Sequence, residues 1–273
     1  MAYPPGGVSD LVARALAAQV GGALGGPIVV EHRGGAGGAV ALQALARAVP
    51  DGRTLCFCAI SPLAAPPGLP RPAWAAAVVP VIAVVRTPTL LVATPAFPAG
   101  GLADVLAAAR SRPGALRWAT TGTGTVGHQV LEAVCRAAGI AVTHVPYRGG
   151  GAQLQDAVGG QFELLSTNVG PLQLDHLRAG RLRALAVGAP QRVALLPAVA
   201  TFAESGMPGA DRTSLFGIFA PPGTPPAVRD RLHRVFAEAL DQPALRRRIV
   251  AGGNLVAGGS AQAFADEIAR QPR

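Results

Sequence analysis

Three glycine-rich stretches carry the residue types from which an anion site can be built. They are Tyr3-Pro-Pro-Gly-Gly-Val-Ser-Asp10, Thr120-Thr-Gly-Thr-Gly-Thr-Val-Gly-His128 and Val145-Pro-Tyr-Arg-Gly-Gly-Gly151. Each runs directly into a helical pattern. Glycine lets the backbone come close to a ligand and turn through positive φ. The helix that follows offers unpaired N–H groups and the positive end of its dipole. Loop and helix start together hold an anion with the backbone alone.

The side chains refine this. In the first loop Tyr3, Gly6, Gly7, Ser9 and Asp10 are candidate ligand contacts, with Ser9 a possible helix N-cap. In the second, Thr121, Thr123 and Thr125 supply hydroxyls suited to a carboxylate, beside Gly122, Gly124 and His128. In the third, Tyr147 can close over a ligand and Arg148 can pair with a second carboxylate, next to Gly149. Blander readings stand beside these: a simple turn for the first loop, a packed Tyr147 and a solvated Arg148 for the third. Gly122, Gly124 and Gly127 also spell G-x-G-x-x-G, which raises a dinucleotide. That reading needs an acid about 20 residues on to hold the ribose. The next strand instead ends His144-Val-Pro-Tyr-Arg148. An NAD(P)-binding or hydrolytic enzyme using the Gly122–Gly127 loop and His128 is the alternative, although the sequence offers no clear acid to orient that histidine.

The elements that must position these loops alternate. Strand patterns fall at 27–31, 54–59, 78–85, 89–94, 116–120, 142–145, 162–166, 182–187 and 215–220. Helical patterns fall at 9–20, 40–48, 102–110, 128–138, 152–158, 172–179, 227–240, 244–251 and 261–269. Such alternation predicts mainly parallel sheets with helical crossovers. Loops between strand and helix then gather at the carboxyl edge of the sheet, where ligands bind. The 273 residues suffice for two lobes. Chain crossings near Pro88 and over 214–220 divide them as 1–88 with 219–273, and 89–218, so the last helices return to the first lobe. No strand pattern precedes the first glycine turn, and we expect the first strand of lobe 1 to be missing.

Composition narrows the class. Half of the residues are hydrophobic and only 4% are aromatic, so alanine, valine and leucine must fill the core. The apolar stretch 73–93 is broken by Pro80, Arg86 and Pro88, and no run is long enough to span a bilayer. The formal charge is +9 and every basic residue is arginine. The arginines are dispersed, without the stacking aromatics of a nucleic-acid binder. Cys56 and Cys58 share one face of a strand, Cys135 lies in a helix, and the odd count opposes a disulfide framework. No metal-ligand spacing is visible. The opening Met-Ala-Tyr-Pro-Pro shows no secretory signal.

The order of motifs resembles the Bug family, the TctC-like solute-binding proteins of tripartite tricarboxylate transporters. The residues are Tyr3-Pro-Pro-Gly-Gly7 with Ser9-Asp10, Gly34-Gly-Ala-Gly-Gly38, Pro50-Asp-Gly52, Gly122-Thr-Gly-Thr125 with His128, and His144-Val-Pro-Tyr-Arg-Gly149. The match continues through Ala179-Gly-Arg-Leu-Arg-Ala-Leu-Ala186, Thr201-Phe-Ala-Glu-Ser-Gly206 and Gly217-Ile-Phe-Ala-Pro221. The resemblance implies a type II periplasmic binding protein fold, α/β with two lobes and a ligand cleft between them. It implies a small carboxylate ligand held between the loop of Gly6-Gly7 and the loop of Thr121–Thr125, and it adds Ser61 and Asn168 as cleft-facing residues. It implies no cofactor, a periplasmic location, transporter membrane subunits as partners, no nucleic acid, and a monomer. Closure about 88–91 and 214–218 would trap the ligand. The sequence departs from the family pattern at Ile60, Thr167 and the proline-rich 66–72, and we expect it to lack the family's leader and first strand before the Pro-Pro-Gly-Gly turn.

Overall fold

The computed structural model describes residues 1–64, 72–98 and 100–271. The chain divides into two compact units, Met1–Arg86 with Leu215–Arg273 (unit 1) and Thr87–Ser214 (unit 2). The proline-rich 66–72 falls, apart from Pro72, outside the described residues.

Unit 1 holds helices α1 (Val8–Leu24), α2 (Ala39–Leu45) and α3 (Ala73–Ala77), and strand β1 (Cys56–Ala59). It also holds the first part of β2 (Val79–Ala93), most of β7 (Thr213–Ala220), and then α8 (Pro226–Asp241), α9 (Pro243–Ala251), β8 (Leu255–Gly258) and α10 (Ala261–Ala269). β7 lies between β1 and β2. Cys56 pairs with Phe219 and Ala59 with Phe216, antiparallel. β8, unforeseen in the sequence, pairs antiparallel with β2 from Ala83↔Gly258 to Arg86↔Leu255. The strand period of two sorts the side chains onto two faces. Phe57, Phe216 and Ile218 pack with Leu16, Val20, Leu232 and Phe236 of α1 and α8. Cys56, Cys58 and Phe219 pack on the other face with Leu42, Phe264 and Ile268. Burying each such apolar side chain stabilises the fold by roughly 1.5–3 kcal/mol.

The segment 27–31, expected as a strand, is extended coil instead. A strand needs a neighbour, and none pairs with it among the described residues. Arg33 N–H reaches Met1 O at 2.9 Å, and Val29 is 81% exposed. A groove of about 570 Å³ runs between α1 and this segment, lined by Ala17, Ala18, Gly21, Gly22, Ile28 and Val30 among others. It is largely apolar and distant in kind from the anion chemistry of the glycine loops.

Unit 2 holds the rest of β2, then α4 (Leu102–Ser111), β3 (Arg117–Thr120), α5 (Val126–Ala138), β4 (Thr143–Pro146), α6 (Gly150–Val158), β5 (Leu164–Asn168), α7 (Pro171–Arg178) and β6 (Arg183–Gly188). β3 pairs in parallel with both β4 and β5, Trp118 opposite His144 and Leu164. β2 joins antiparallel, Thr89↔Asn168 on one side and Thr89↔Gly188 on the other. The expected parallel core with helical crossovers is thus β5-β3-β4, and the crossing strand enters it antiparallel. Trp118, Val130, Val134 and Leu164 pack under α4 and α5, while Ala119, Leu154, Phe162 and Leu174 pack under α6 and α7.

Candidate functional site

The three parallel strands of unit 2 each end in a loop that starts a helix. Thr120, Pro146 and Asn168 close β3, β4 and β5, and α5, α6 and α7 follow. Because β3 pairs in parallel with both neighbours, the three loops share one carboxyl edge. Among the described residues, the amides of Val126 and Gly127 at the start of α5, and of Gly150 and Gly151 at the start of α6, have no acceptor within the chain. That is the arrangement an anion neutralises.

Local sequence explains the shape of the 121–125 loop. Thr125 Oγ1 donates to Gly122 O at 2.6 Å, and Gly122 N–H donates to Thr120 Oγ1 at 3.2 Å. These bonds curl the loop onto its own backbone. Gly124 turns through φ +77° and donates its N–H to His128 Nδ1 at 3.3 Å. Gly127 serves a different end: a Cβ there would lie 3.1 Å from the Ser166 Cβ, so its absence lets α5 sit close on β5. Thr121 is half-buried, and Thr123 is exposed.

The other candidates in unit 2 separate by role. Tyr147 is held inside the unit: its hydroxyl donates to Asp156 Oδ2 at 2.7 Å and its ring meets Phe162 edge-on at 5.6 Å. Burial, reinforced by the Asp156 carboxylate, pushes its phenol up to about 12. Arg148 is exposed and has no partner among the described residues. Gly149 is the N-cap of α6. Asn168 Oδ1 accepts from Ser214 Oγ at 2.9 Å.

In unit 1 the first loop spends two of its candidate side chains on itself. The Tyr3 hydroxyl donates to Gly37 O at 3.2 Å and accepts from Ala59 N–H at 3.2 Å, tying this loop to the Gly34–Gly38 stretch and to the end of β1. Burial pushes its phenol well up. Asp10 is buried. Its carboxylate accepts from Gly6 N–H at 3.1 Å and Arg14 Nε at 3.0 Å, with His32 Nε2 at 3.3 Å. Tyr3 and Asp10 therefore shape the loop. The amides of Gly7, Val8 and Ser9 remain without an acceptor among the described residues, and they are the part of this loop that can meet an anion. Ser61 is buried in the turn after β1.

Residues not singled out in the sequence support the unit 2 edge. His144 Nε2 lies 2.7 Å from Thr120 Oγ1, and its ring packs against His128 with centroids 4.4 Å apart and the planes tilted by 31°. Trp118 Nε1 donates to Ser166 Oγ at 2.8 Å, and Gln153 Nε2 donates to Ser166 O at 3.0 Å. Parallel register was the usable signal: it sets His144 opposite Trp118, on the face that α5 covers.

A two-unit α/β chain with helix starts gathered at a strand edge has the architecture of a periplasmic binding protein. Solved structures agree: one described as a periplasmic transporter matches with a TM-score of 0.90 at 34% identity, covering 98% of this chain and 90% of that one. MatC of Rhodopseudomonas palustris, solved with bound malate, matches at 0.88 and 32% identity, covering 98% and 95%. A further R. palustris protein, solved with adipate, matches at 0.90 and 30% identity, covering 98% and 90%. Residues 12–272 match the profile TctC, the tripartite tricarboxylate transporter family receptor, and the chain belongs to that family. Protein BugT of Bordetella pertussis is 36% identical over 211 residues, which are 76% of this chain and 64% of BugT. The chain thus spans a little under two thirds of that relative's length.

The family is one of receptors. His128 Nδ1 is occupied by a backbone amide, and Glu132 is 4.0 Å from Nε2. This is a histidine holding a loop, and the enzyme alternative finds no support. Family members are periplasmic, and no helix among the described residues is long and apolar enough to cross a membrane.

Proposed function

We propose that this chain is the solute-binding receptor of a tripartite transporter and captures a small carboxylate with backbone amides. The observation that carries the reading is the shared carboxyl edge of β5, β3 and β4, with the open amides of α5 and α6 at it and Arg148 exposed between them. One carboxylate meets the helix starts. Arg148 then supplies a charge for a second, which favours dicarboxylates such as those bound by the R. palustris relatives. The net charge of +9 attracts anions in general. In this proposal the Thr121–Thr125 loop meets the ligand, and the Gly7–Ser9 amides of unit 1, Ser61 and Asn168 are further candidate contacts. The chain acts as a monomer in the periplasm, and membrane subunits receive the cargo.

The test is a thermal-shift series with malate, adipate, citrate, a monocarboxylate and the neutral diamide of malate. A ligand that binds only the folded state raises the melting temperature with concentration by mass action. We expect dicarboxylates to raise it, the diamide to leave it unchanged, and Arg148→Ala to weaken dicarboxylates more than the monocarboxylate. NAD raising the melting temperature while every carboxylate fails would overturn the proposal.

A further inference from the structure

We propose that His144 is a positioning residue for the anion loop: it fixes Gly122–Thr125 through the Thr120 hydroxyl and braces His128, which holds Gly124. The ligand contacts themselves fall to the loop amides, and His144 acts through its neighbours.

The hydrogen-bond inventory sets its role. A threonine hydroxyl has one proton to give and two lone pairs. Thr120 Oγ1 has three partners: Gly122 N–H at 3.2 Å, Gly122 O at 3.3 Å and His144 Nε2 at 2.7 Å. Gly122 N–H can only donate to it, and Gly122 O can only accept from it. All three contacts are satisfied together when His144 donates from Nε2, which places its proton there. His128 plays the opposite role with the same tautomer. Its Nδ1 faces Gly124 N–H at 3.3 Å and must accept, so in the neutral ring its proton sits on Nε2. One imidazole donates and the other accepts, and the tilted pair acts on alternate glycines of the loop, Gly122 through Thr120 and Gly124 directly. Neither role could be exchanged without losing a bond.

The surroundings keep His144 neutral. Burial, and then the neighbouring His128, hold its pKa below the usual histidine value, with Glu132 opposing. These two groups, both on α5, are the titratable groups that act on it; β3 presents the uncharged Thr120. A depressed folded pKa contributes stability that is present above the unfolded value and lost as pH falls below it.

The proposal rests on the receptor reading only for its affinity arm. In the ligand-free protein, imidazole ¹⁵N spectra should show His144 as the Nε2–H tautomer, titrating below free histidine. Amide exchange at Gly122 and Gly124 should speed up about tenfold in His144→Phe, which keeps a ring but loses the donor, an effect the size of one hydrogen bond. His144→Gln, whose Nε2 can stand where the imidazole Nε2 stood, should restore protection to within about threefold. Thr120→Val should reproduce His144→Phe, and the double variant should be no worse than either, as expected when two residues share one interaction. Malate affinity by calorimetry should follow the same order. An Nδ1–H tautomer, unchanged exchange in both His144→Phe and Thr120→Val, or a Gln variant no better than Phe would overturn the proposal. Should His144→Phe fail to fold, Thr120→Val and the wild-type spectra decide it. If wild-type protein binds no carboxylate while exchange and tautomer behave as stated, the receptor reading falls and the positioning role stands.

Discussion

Gly124→Val separates the anion loop from the fold that carries it. Gly124 has φ +77°, and a Cβ added there would meet no heavy atom within 4 Å. The substitution therefore adds no clash, only backbone strain. A left-handed conformation costs an L-residue about 1–2 kcal/mol, against a folding stability of roughly 5–15 kcal/mol. The melting temperature should fall by about 2–8 °C, and unfolding should stay cooperative. Binding should suffer more. The valine side chain enters the open space beside the loop amides, and relief of its strain pulls Gly124 N–H from His128 Nδ1, 3.3 Å away. Calorimetry with malate should show an affinity loss of at least about tenfold, or 1.4 kcal/mol. The control is Gly139→Val, at the C-cap of the same helix. That glycine has φ +62° and equally open surroundings, so it pays the same strain far from the loop. Wild-type affinity in Gly124→Val, or an equal loss in Gly139→Val, would refute the assignment of the site.

Two more outcomes follow from bonds that the candidate residues make inside their own units. Asp10→Ala leaves Gly6 N–H without its acceptor and removes the carboxylate that faces Arg14 and His32. It should cost about 1–3 kcal/mol in denaturant unfolding, and an unchanged midpoint would mean that Asp10 does not hold the first loop. The Tyr147 phenol is raised to about 12 from its usual 10, so the folded state keeps a proton that the unfolded chain releases. That contribution is complete below pH 10 and is lost as pH rises toward 12. Wild-type protein should therefore shed stability over this interval while Tyr147→Phe does not, as read from alkaline unfolding curves of the two.

The order of elements was legible because apolar spacing changes cleanly between strand and helix, and the three glycine loops were legible because each ran directly into a helical pattern. Two features were hidden by local chemistry. Pro88 divides the pattern of β2 into two expected strands, 78–85 and 89–94, yet Val79–Ala93 is continuous. The strand changes partners there: β8 pairs up to Arg86 and β5 begins at Thr89. The missing proline N–H thus falls between ladders, while Pro88 O still accepts from Val169 N–H at 2.9 Å. Conversely, 27–31 has ideal strand residues and forms no strand, because residue type cannot supply a neighbour. At the site, the sequence pointed to the anion loops but not to which side chains those loops consume. Asp10 and Tyr147 look like ligand groups until Gly6 N–H and Asp156 are found to occupy them. His144 showed only as part of a motif, since its partner Thr120 is 24 residues away and meets it through the parallel register.

The division of the chain also dictates an order of assembly. Unit 2 is one uninterrupted stretch, so all its strands have been synthesised by Ser214. Unit 1 is not: β1 is synthesised early, but its partner β7 comes only after the whole of unit 2. Until then Phe57 and the apolar face of α1 lack Phe216, Ile218 and the α8 residues that cover them. Pairing between distant segments is the slow part of folding. The nascent chain must therefore carry an open N-terminal half beside a finished insert. Pulse proteolysis of arrested chains would show protection of 87–214 before any protection of β1.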